Sequence, residues 1–195
     1  MVSKNEQAAF DKCVKHCDEI VLIKPTLKYV EDIIRFRQEI LDADDKDSFA
    51  GCIGLDKADT ADGVKDWIKA VDMMSKEDTC PKDKVSSSMY IAVRLSDNKI
   101  VGAIDLRHHI NHPVLGTWGG HMGYSVRPCE RGKGYAVEML RQNLLNCKKL
   151  GIERVMITCD IDNTASEKTI LANGGVFEKE IEVDGTLMKR YWIEV

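Results

Sequence analysis

The sequence predicts a single domain of the α/β (α+β) class, and three observations lead to this expectation. The chain has 195 residues, of which 44% are apolar, so it can bury one sizeable core. Apolar residues follow strand-like patterns in seven stretches and helical spacing in four. No internal repeat, low-complexity segment or linker divides these stretches, which follow the order βααβββ and then αβαββ.

The first 18 residues are predicted to form a helical extension ahead of a domain that covers residues 19–195. The extension contains Cys13, His16 and Cys17, which could share one helical face as metal ligands. Because no second pair with zinc spacing follows, we predict no metal.

Composition narrows the possible locations and partners. No apolar core of signal-peptide length opens the chain, and nowhere do about 18 apolar residues run together. The seven cysteines include no CxxC pair and are odd in number, which favours reduced thiols. The net charge is −4 without a dense run of Lys or Arg, which argues against general nucleic-acid binding. We therefore predict a cytoplasmic protein that binds neither nucleic acid nor membrane.

The first strand and the first helix have clear local signals. The run "EIVLIKP" (19–25) predicts a short strand that stops at Pro25. Thr26 is placed to cap a helix over "LKYVEDIIRFRQEIL", where apolar residues recur at helical spacing. The stretch 42–62 is acidic, irregular and contains glycine, so it predicts a surface loop.

A second helix and three strands follow this loop. Trp67, Met73 and Met74 on the helix "GVKDWIKAVDMMSK" (63–76) are predicted to face the core. The runs "MYIAVRL" and "KIVGAIDLRHHI" have strand character, and "SDNK" joins them as a hairpin. The run "GGHMGYSVRP" predicts the next strand, which ends at Pro128.

The second half of the domain predicts a helix, a strand, a helix and a terminal hairpin. The helix over "GYAVEMLRQNLLNCKKLG" stops at Gly151. The run "RVMITCD" is nearly continuously apolar, which is typical of a strand buried on both faces. A short helix over "TASEKTILANGG" closes at Asn173 and Gly174, and "VFEKEIEV" pairs with "LMKRYWIEV" around Asp184 and Gly185.

The stretch "VRPCERGKGYAVEML" (126–140) places glycine and positive charge at the start of the third helix. Amides at a helix N-terminus lack acceptors and carry the positive end of the helix dipole, so a glycine-rich turn there can hold an anion. Gly132 and Gly134 allow close approach of the backbone, and Arg131 and Lys133 add charge. The pattern predicts a site for pyrophosphate or a similar polyanion, with a glycine-rich turn that binds nothing as the alternative.

Two other phosphate motifs do not match this turn. A P-loop needs Ser or Thr after its lysine, whereas Gly134 follows Lys133. A dinucleotide fingerprint needs a third glycine where Val137 stands, and it should follow the first strand of a βαβ unit.

The turn resembles the coenzyme A motif of the GNAT superfamily of N-acetyltransferases. Its RxxGxA form is matched by Arg131, Gly134 and Ala136, after a strand that ends with Val126 and Pro128. The order of elements is also that of the family.

A second stretch strengthens the resemblance. The run "DNTASEKTILANGGVF" resembles the family's NxxSxxxxxxxxGF segment, with Asn163 and Ser166 in place and one extra glycine before Val176 and Phe177. The resemblance covers nearly all of residues 20–194 and looks closest to a bacterial subgroup of predicted acetyltransferases.

The resemblance implies a mixed, mostly antiparallel central sheet of about seven strands with helices on both faces. Acetyl-coenzyme A, as cosubstrate, would lie between the fourth and fifth strands. Main-chain groups of residues 124–126 would pair with pantetheine, and amides of residues 132–136 with pyrophosphate. The implied cofactor-binding residues are Tyr124, Ser125, Val126, Arg131, Gly132, Lys133, Gly134, Tyr135, Ala136, Asn163 and Ser166.

The acid and the base of the implied reaction are open at this stage. Many family members carry a tyrosine acid seven residues after the asparagine, but Ile170 stands there. Ser166, Tyr124 or solvent could replace it. For the base, strand alternation puts Asp105, Arg107 and His109 on one face of the third strand.

Asp105 or His109 is the expected base, and an internal network between Asp105 and Arg107 is the alternative. His108, His112 and His121 are nearby alternatives. The catalytic candidates are therefore Asp105, His109 and Tyr124.

The implied function is direct N-acetyl transfer from acetyl-coenzyme A to an amine of a small molecule or a peptide, by a monomer or homodimer. A catalytically weak acyl-coenzyme A binding or regulatory module is the alternative, because Ile170 replaces the usual acid.

Overall fold

The computed structural model describes residues 17–43 and 49–195, and in this part of the chain seven strands and four α-helices form the fold. The strands are β1 Ile20–Ile23, β2 Ser87–Arg94, β3 Ile100–Arg107, β4 Tyr124–Val126, β5 Arg154–Asp160, β6 Val176–Val183 and β7 Thr186–Glu194. The helices are α1 Val30–Asp42, α2 Ala61–Met74, α3 Tyr135–Lys149 and α4 Thr164–Ala172. Residues 1–16 of the predicted N-terminal extension, among them Cys13 and His16, lie outside the described residues.

The predicted fold class and element order are confirmed. The strands pair antiparallel in two sheets, ordered β1-β2-β3-β4 and β5-β7-β6. Both predicted hairpin turns are present, with Asn98, Asp184 and Gly185 at positive φ. None of the helices in residues 17–43 and 49–195 is long and apolar enough to cross a membrane.

The starts of α1 and α2 differ in their capping. The Thr60 hydroxyl accepts a hydrogen bond from the Gly63 amide at 3.0 Å and so caps α2. Thr26, which was predicted to cap α1, makes no such bond. Its carbonyl instead accepts from the Tyr29 amide at 3.0 Å, closing a 3₁₀ turn, and α1 begins only at Val30.

Two hydrophobic cores cover the two faces of the four-stranded sheet. One lies beneath α1 and α2, and includes Ile33, Phe36, Trp67, Met89 and Ile91. The other lies beneath α3 and α4, and extends onto the second sheet through Met139, Leu140, Ile157, Ile170 and Tyr191.

Trp67 is buried as predicted, but the prediction for Met73 is wrong. Trp67, Val71 and Met74 follow one stripe of α2 at spacings of four and three residues. Met73 falls outside this stripe and is 50% exposed.

A buried arginine attaches the end of β4 to α1. The Arg127 side chain is fully buried, and it donates to Asp32 Oδ1 at 2.9 Å and to the Ile100 carbonyl at 2.6 Å. Asp32 Oδ2 accepts from the Ile100 amide at 2.7 Å. Burial opposes ionisation of Asp32, but these bonds hold the pKa of its carboxyl below its ordinary value. The attachment therefore fixes the strand end that precedes the glycine-rich turn.

The two sheets meet where His121 contacts β5. The His121 amide donates to the Met156 carbonyl at 2.8 Å, and the Met156 amide donates to His121 Nδ1 at 2.9 Å. The chain can approach this closely because the preceding residue is Gly120, at φ +63°, where an added Cβ would lie 2.7 Å from the Met156 carbonyl oxygen. We call this pair of bonds the sheet joint.

The sheet joint explains why β4 is shorter than predicted. Around His121 the backbone serves both neighbours, because the His121 carbonyl accepts from the Arg107 amide at 2.8 Å while its amide bonds to β5. Regular pairing with β3 covers only Tyr124–Val126, whereas the sequence predicted a strand over the whole of "GGHMGYSVRP".

Because His121 must be neutral to accept at Nδ1, acid should weaken the sheet joint. Burial, followed by the Arg107 cation, lowers the pKa of His121 to about 4, from about 6.5 in an unfolded chain. Its stabilising contribution is complete above about pH 6.5 and is lost as the pH falls toward about 4. Between about pH 7.5 and about pH 4.5, we expect the wild type to lose about 2–3 kcal/mol more stability than His121→Asn.

The asparagine variant is the control because its amide oxygen can accept the Met156 N–H without titrating. Urea unfolding at the two pH values measures the difference, and equal losses in the two proteins would contradict the prediction.

Candidate active site

A cleft of about 960 Å³ opens between β4 and β5, beyond the sheet joint. The two strands diverge there, and the glycine-rich turn, the start of α3 and the start of α4 close its far end. We call this the strand cleft. It is lined by ten of the residues that the resemblance assigns to the cofactor: Tyr124, Ser125, Val126, Arg131, Gly132, Gly134, Tyr135, Ala136, Asn163 and Ser166.

The turn before α3 presents free helix-terminal amides to the strand cleft. Gly132 and Gly134 have φ of +75° and +92°, and Gly134 stands at the N-cap position. No side chain caps α3, and its first backbone bond runs from the Glu138 amide to the Gly134 carbonyl at 3.2 Å. The amides of Tyr135 and Ala136 precede this bond, so they lack intrahelical acceptors. Such a helix start suits an anion such as pyrophosphate.

The two cations of the turn have different positions. Arg131 lines the strand cleft, and its Nε donates to the Val126 carbonyl at 3.2 Å. The Lys133 ammonium instead donates to Glu130 at 2.8 Å and does not line the cleft. Glu130 also pairs with Arg94 at 3.0 Å, so Lys133 helps to neutralise a buried carboxylate beneath the turn. The Lys133 side chain thus pairs with Glu130, and the contact of its main-chain amide with the cosubstrate stays a prediction.

The register of β4 decides which main-chain groups face the strand cleft. The Gly123 carbonyl accepts from the Asp105 amide at 3.0 Å, and the Arg127 amide donates to the Val101 carbonyl at 2.8 Å. Because main-chain groups alternate along a strand, every second residue from Gly123 to Arg127 bonds to β3. Ser125 is one of these residues, and its hydroxyl donates to the Ala50 carbonyl. Tyr124 and Val126 consequently direct their main-chain groups toward β5.

The opposite wall of the strand cleft is the start of α4. The Asn163 side chain accepts from the Ser166 amide at 3.0 Å and caps the helix. The hydroxyls of Tyr124 and Ser166 lie 2.8 Å apart, which links β4 to α4 across the cleft. Burial raises the pKa of Tyr124 far above its usual range, so its phenol is a hydrogen-bond donor at neutral pH. Ile170, at the position of the tyrosine expected from the resemblance, is fully buried in the core.

Asp105 and Arg107 form the internal ion pair that the sequence left open as an alternative. Asp105 Oδ2 lies 3.1 Å from Arg107 Nη2, and Oδ1 accepts from the Gly123 amide at 2.6 Å. Arg107 Nη1 donates to the carbonyls of Gly119 at 2.7 Å and Gly120 at 3.2 Å. Burial raises the pKa of Asp105, although Arg107 and the Gly123 amide oppose this effect.

The expectation that His109 shares a strand face with Asp105 is wrong. β3 ends at Arg107 and the chain bends at His108, so strand alternation does not reach His109. His109 is exposed. No histidine of residues 17–43 and 49–195 lines the strand cleft.

A second cavity, of about 670 Å³, lies beside the strand cleft under α2. We call it the α2 pocket. One stripe of α2 forms its wall, and Asp105 lies at its base. Its main lining residues are Ile53, Gly54, Trp67, Ala70, Val71, Met74, Met89 and Asp105.

The loop over residues 49–54 separates the two cavities, although the sequence predicted only a surface loop here. Ile53 lines both cavities, and the Trp67 indole donates to its carbonyl at 3.1 Å. A Cβ on Gly51, whose φ is +78°, would lie 2.2 Å from the Gly123 carbonyl oxygen, so the loop packs directly on β4. Glycines in the stretch "AGCIG" were the available signal for this close approach.

Comparison with protein families supports the resemblance. The family model described as the acetyltransferase (GNAT) domain matches residues 20–176. The chain belongs to the GNAT family. Its members use acetyl-coenzyme A as cosubstrate without a metal. No curated protein matches the chain.

Solved structures share the fold at low sequence identity. The microcin C7 self-immunity acetyltransferase MccE, in complex with acetyl-CoA and AMP, is 19% identical with a TM-score of 0.66, over 93% of this chain and 95% of that one. RimJ from Mycobacterium smegmatis, in complex with CoA-disulfide, is 16% identical with a TM-score of 0.67, over 91% and 83%. The ribosomal-protein-S5-alanine acetyltransferase from Vibrio fischeri is 18% identical with a TM-score of 0.64, over 90% and 91%.

Replacing Gly134 by Asp should block the helix-terminal amides with a negative charge. We expect acetyl-coenzyme A to bind about two to four decades more weakly, because loss of two charge-assisted hydrogen bonds costs about 3–6 kcal/mol. The positive φ of Gly134 adds a strain of about 1–2 kcal/mol to the folded state. Calorimetric titration with acetyl-coenzyme A measures the dissociation constant, with NAD as the ligand that should not bind.

Gly151→Asp is the matched control at the other end of α3. Gly151 has φ +72° and open space around an added Cβ, so this variant carries similar strain outside the cleft. It should bind acetyl-coenzyme A as the wild type does. An unchanged dissociation constant in folded Gly134→Asp would contradict the anion site.

Proposed function

We propose that this GNAT protein is an N-acetyltransferase that moves the acetyl group of acetyl-coenzyme A directly to an amine of a small molecule or a peptide. The observation that carries the proposal is the placing of three features along β4. The helix-terminal amides lie at one end of the strand cleft, the Tyr124 hydroxyl lies in its wall, and the Asp105 carboxylate contacts the Gly123 amide at the other end.

The strand cleft suits an extended thioester cosubstrate. Amides at the start of α3 would hold the pyrophosphate, with Arg131 close by. The main-chain groups of Tyr124 and Val126 would pair with pantetheine as an added strand would. Bound acetyl-coenzyme A supplies the acetyl group as a reactive thioester.

Asp105 is the proposed base. Burial shifts its pKa toward neutrality, which strengthens it as an acceptor for the proton of an ammonium group. The freed amine nitrogen then bonds to the acetyl carbon, and the carbon–sulfur bond breaks with its electron pair left on sulfur. The second amine proton passes to that sulfur, so no acyl-enzyme is needed. The Tyr124 hydroxyl would donate a hydrogen bond to the developing negative charge.

The alternative function is an acyl-coenzyme A binding or regulatory module with weak catalysis. Two observations favour it: Ile170 is buried where a tyrosine acid was expected, and Asp105 is held by Arg107. Steady-state release of the coenzyme A thiol with a panel of amines distinguishes the two functions. Turnover supports the transferase, whereas binding without turnover supports the module.

Asp105→Asn should abolish most of the turnover while preserving cosubstrate binding. The amide keeps an acceptor for Gly123 but takes no proton, so kcat should fall about 10²–10⁴-fold. The wild-type rate should rise with pH as Asp105 loses its proton, at a pH above that of an ordinary carboxyl, and the variant should lack this rise. Thiol release across pH measures both effects.

Glu138→Gln is the matched control, because Glu138 is a second buried carboxylate paired with an arginine and does not line the strand cleft. Its loss of stability should be similar, whereas its turnover should stay within about threefold of the wild type. A pH profile that is the same in Asp105→Asn and wild type would rule out Asp105 as the base.

A further inference from the structure

We propose that the α2 pocket takes a hydrophobic group of the acceptor, so that the acceptor is a primary amine whose nitrogen lies a few bonds from a compact apolar group. The inference rests on the proposed function. It adds the class of acceptor, which the strand cleft alone does not define.

The wall of the pocket is apolar at helical spacing. Trp67, Ala70, Val71 and Met74 stand at i, i+3, i+4 and i+7 on α2 and face the cavity, and Met89 lines it from β2. The volume of about 670 Å³ lies within the range of small-ligand sites, about 300–1,000 Å³. An apolar group placed here leaves water at about 25 cal/mol per Å² of buried surface.

The buried charge of the pocket lies at its junction with the strand cleft. Asp105 lines the α2 pocket, while its ion-pair partner Arg107 lines the strand cleft, so the 3.1 Å contact between them spans the boundary. Asp105 also holds the Gly123 amide, next to Tyr124. An ammonium group that reaches Asp105 from the pocket is therefore adjacent to the cleft where the thioester would lie.

The rim of the pocket disfavours polycations. Lys57 and Lys84 are exposed there, and Asp66 is paired with Lys69 at 2.9 Å. A polyamine would place further positive charges beside the two lysines, where they repel, or against the apolar wall, where they lose hydration, and both arrangements cost free energy. A single amine on an apolar group avoids both costs.

Two sources can supply this chemistry: a small arylalkyl or branched alkyl amine, and the amino terminus of a peptide with an apolar first residue. The test compares the kcat/KM values of phenethylamine, ethylamine, spermidine and the peptide Phe-Ala-Ala. We expect phenethylamine or the peptide to exceed both ethylamine and spermidine by about tenfold or more. The higher value of phenethylamine or of the peptide identifies a small amine or a peptide amino terminus as the source. Equal values for all four acceptors, or a preference for spermidine, overturn the inference.

A pocket-filling variant tests the location. Ala70→Trp replaces an exposed pocket residue and should raise KM for phenethylamine about tenfold or more, with KM for ethylamine and the dissociation constant of acetyl-coenzyme A unchanged. Met73→Trp is the matched control, because Met73 is exposed on the same helix outside the pocket. Equal effects of the two variants overturn the inference.

A binding measurement separates this inference from the proposed function. If no amine is acetylated, calorimetry with phenethylamine still reports on the pocket. Binding that Ala70→Trp weakens and Met73→Trp does not supports the pocket and refutes the transferase. Absence of binding and turnover overturns both, whereas turnover of all amines without apolar preference overturns the pocket alone.

Discussion

The contact between His121 and Met156 joins the four-stranded sheet to the three-stranded sheet and sets where the candidate active site can form. It supplies one backbone bond and one side-chain bond between the sheets, and beyond it β4 and β5 diverge. The strand cleft is the space that this divergence leaves. Because one of the two bonds uses a side-chain nitrogen, the joint combines backbone pairing with a group whose protonation would break it. The position of the cleft thus depends on His121, three residues before β4 begins at Tyr124.

Two further attachments hold the walls of the strand cleft in place. Arg127 fixes the end of β4 to Asp32 on α1, so this strand edge cannot shift toward β5. Glu130 forms ion pairs with both Arg94 and Lys133 beneath the glycine-rich turn, and these pairs fix the turn that precedes α3. The amides at the start of α3 are therefore oriented before any anion arrives, and preorganisation of this kind reduces the entropy lost on binding.

Local signals were sufficient for most of the fold. Asn98, Asp184 and Gly185 mark hairpin turns through their own backbone preferences, and Gly151 stops α3 for the same reason. Features that depend on distant partners could not be predicted in this way. β4 begins only at Tyr124 because the His121 amide bonds to Met156, and Thr26 does not cap α1 because a 3₁₀ turn intervenes.

In the candidate site, too, local features could be predicted from the sequence and features that depend on distant residues could not. The glycine-rich turn and the start of α4 were visible as motifs, because each is one continuous stretch. The direction of the Lys133 side chain depends on Glu130 and Arg94, and the loop over residues 49–54 joins the site only because Gly51 packs on Gly123. The α2 pocket is formed by four separate segments, which are the loop with Ile53, α2, β2 and β3, so no single stretch of sequence predicts it.

The ion pair of Asp105 and Arg107 is compatible with both a structural and a chemical role, because its two partners have different surroundings. Arg107 is held in position by the carbonyls of Gly119 and Gly120, next to the sheet joint. Asp105 therefore keeps a fixed cation at one oxygen while burial raises its pKa. Burial favours the protonated form of the carboxyl, whereas the arginine cation favours the ionised form. The opposition of these two effects at one side chain leaves a carboxyl whose pKa lies above its ordinary value, beside a fixed cation at the boundary between the two cavities.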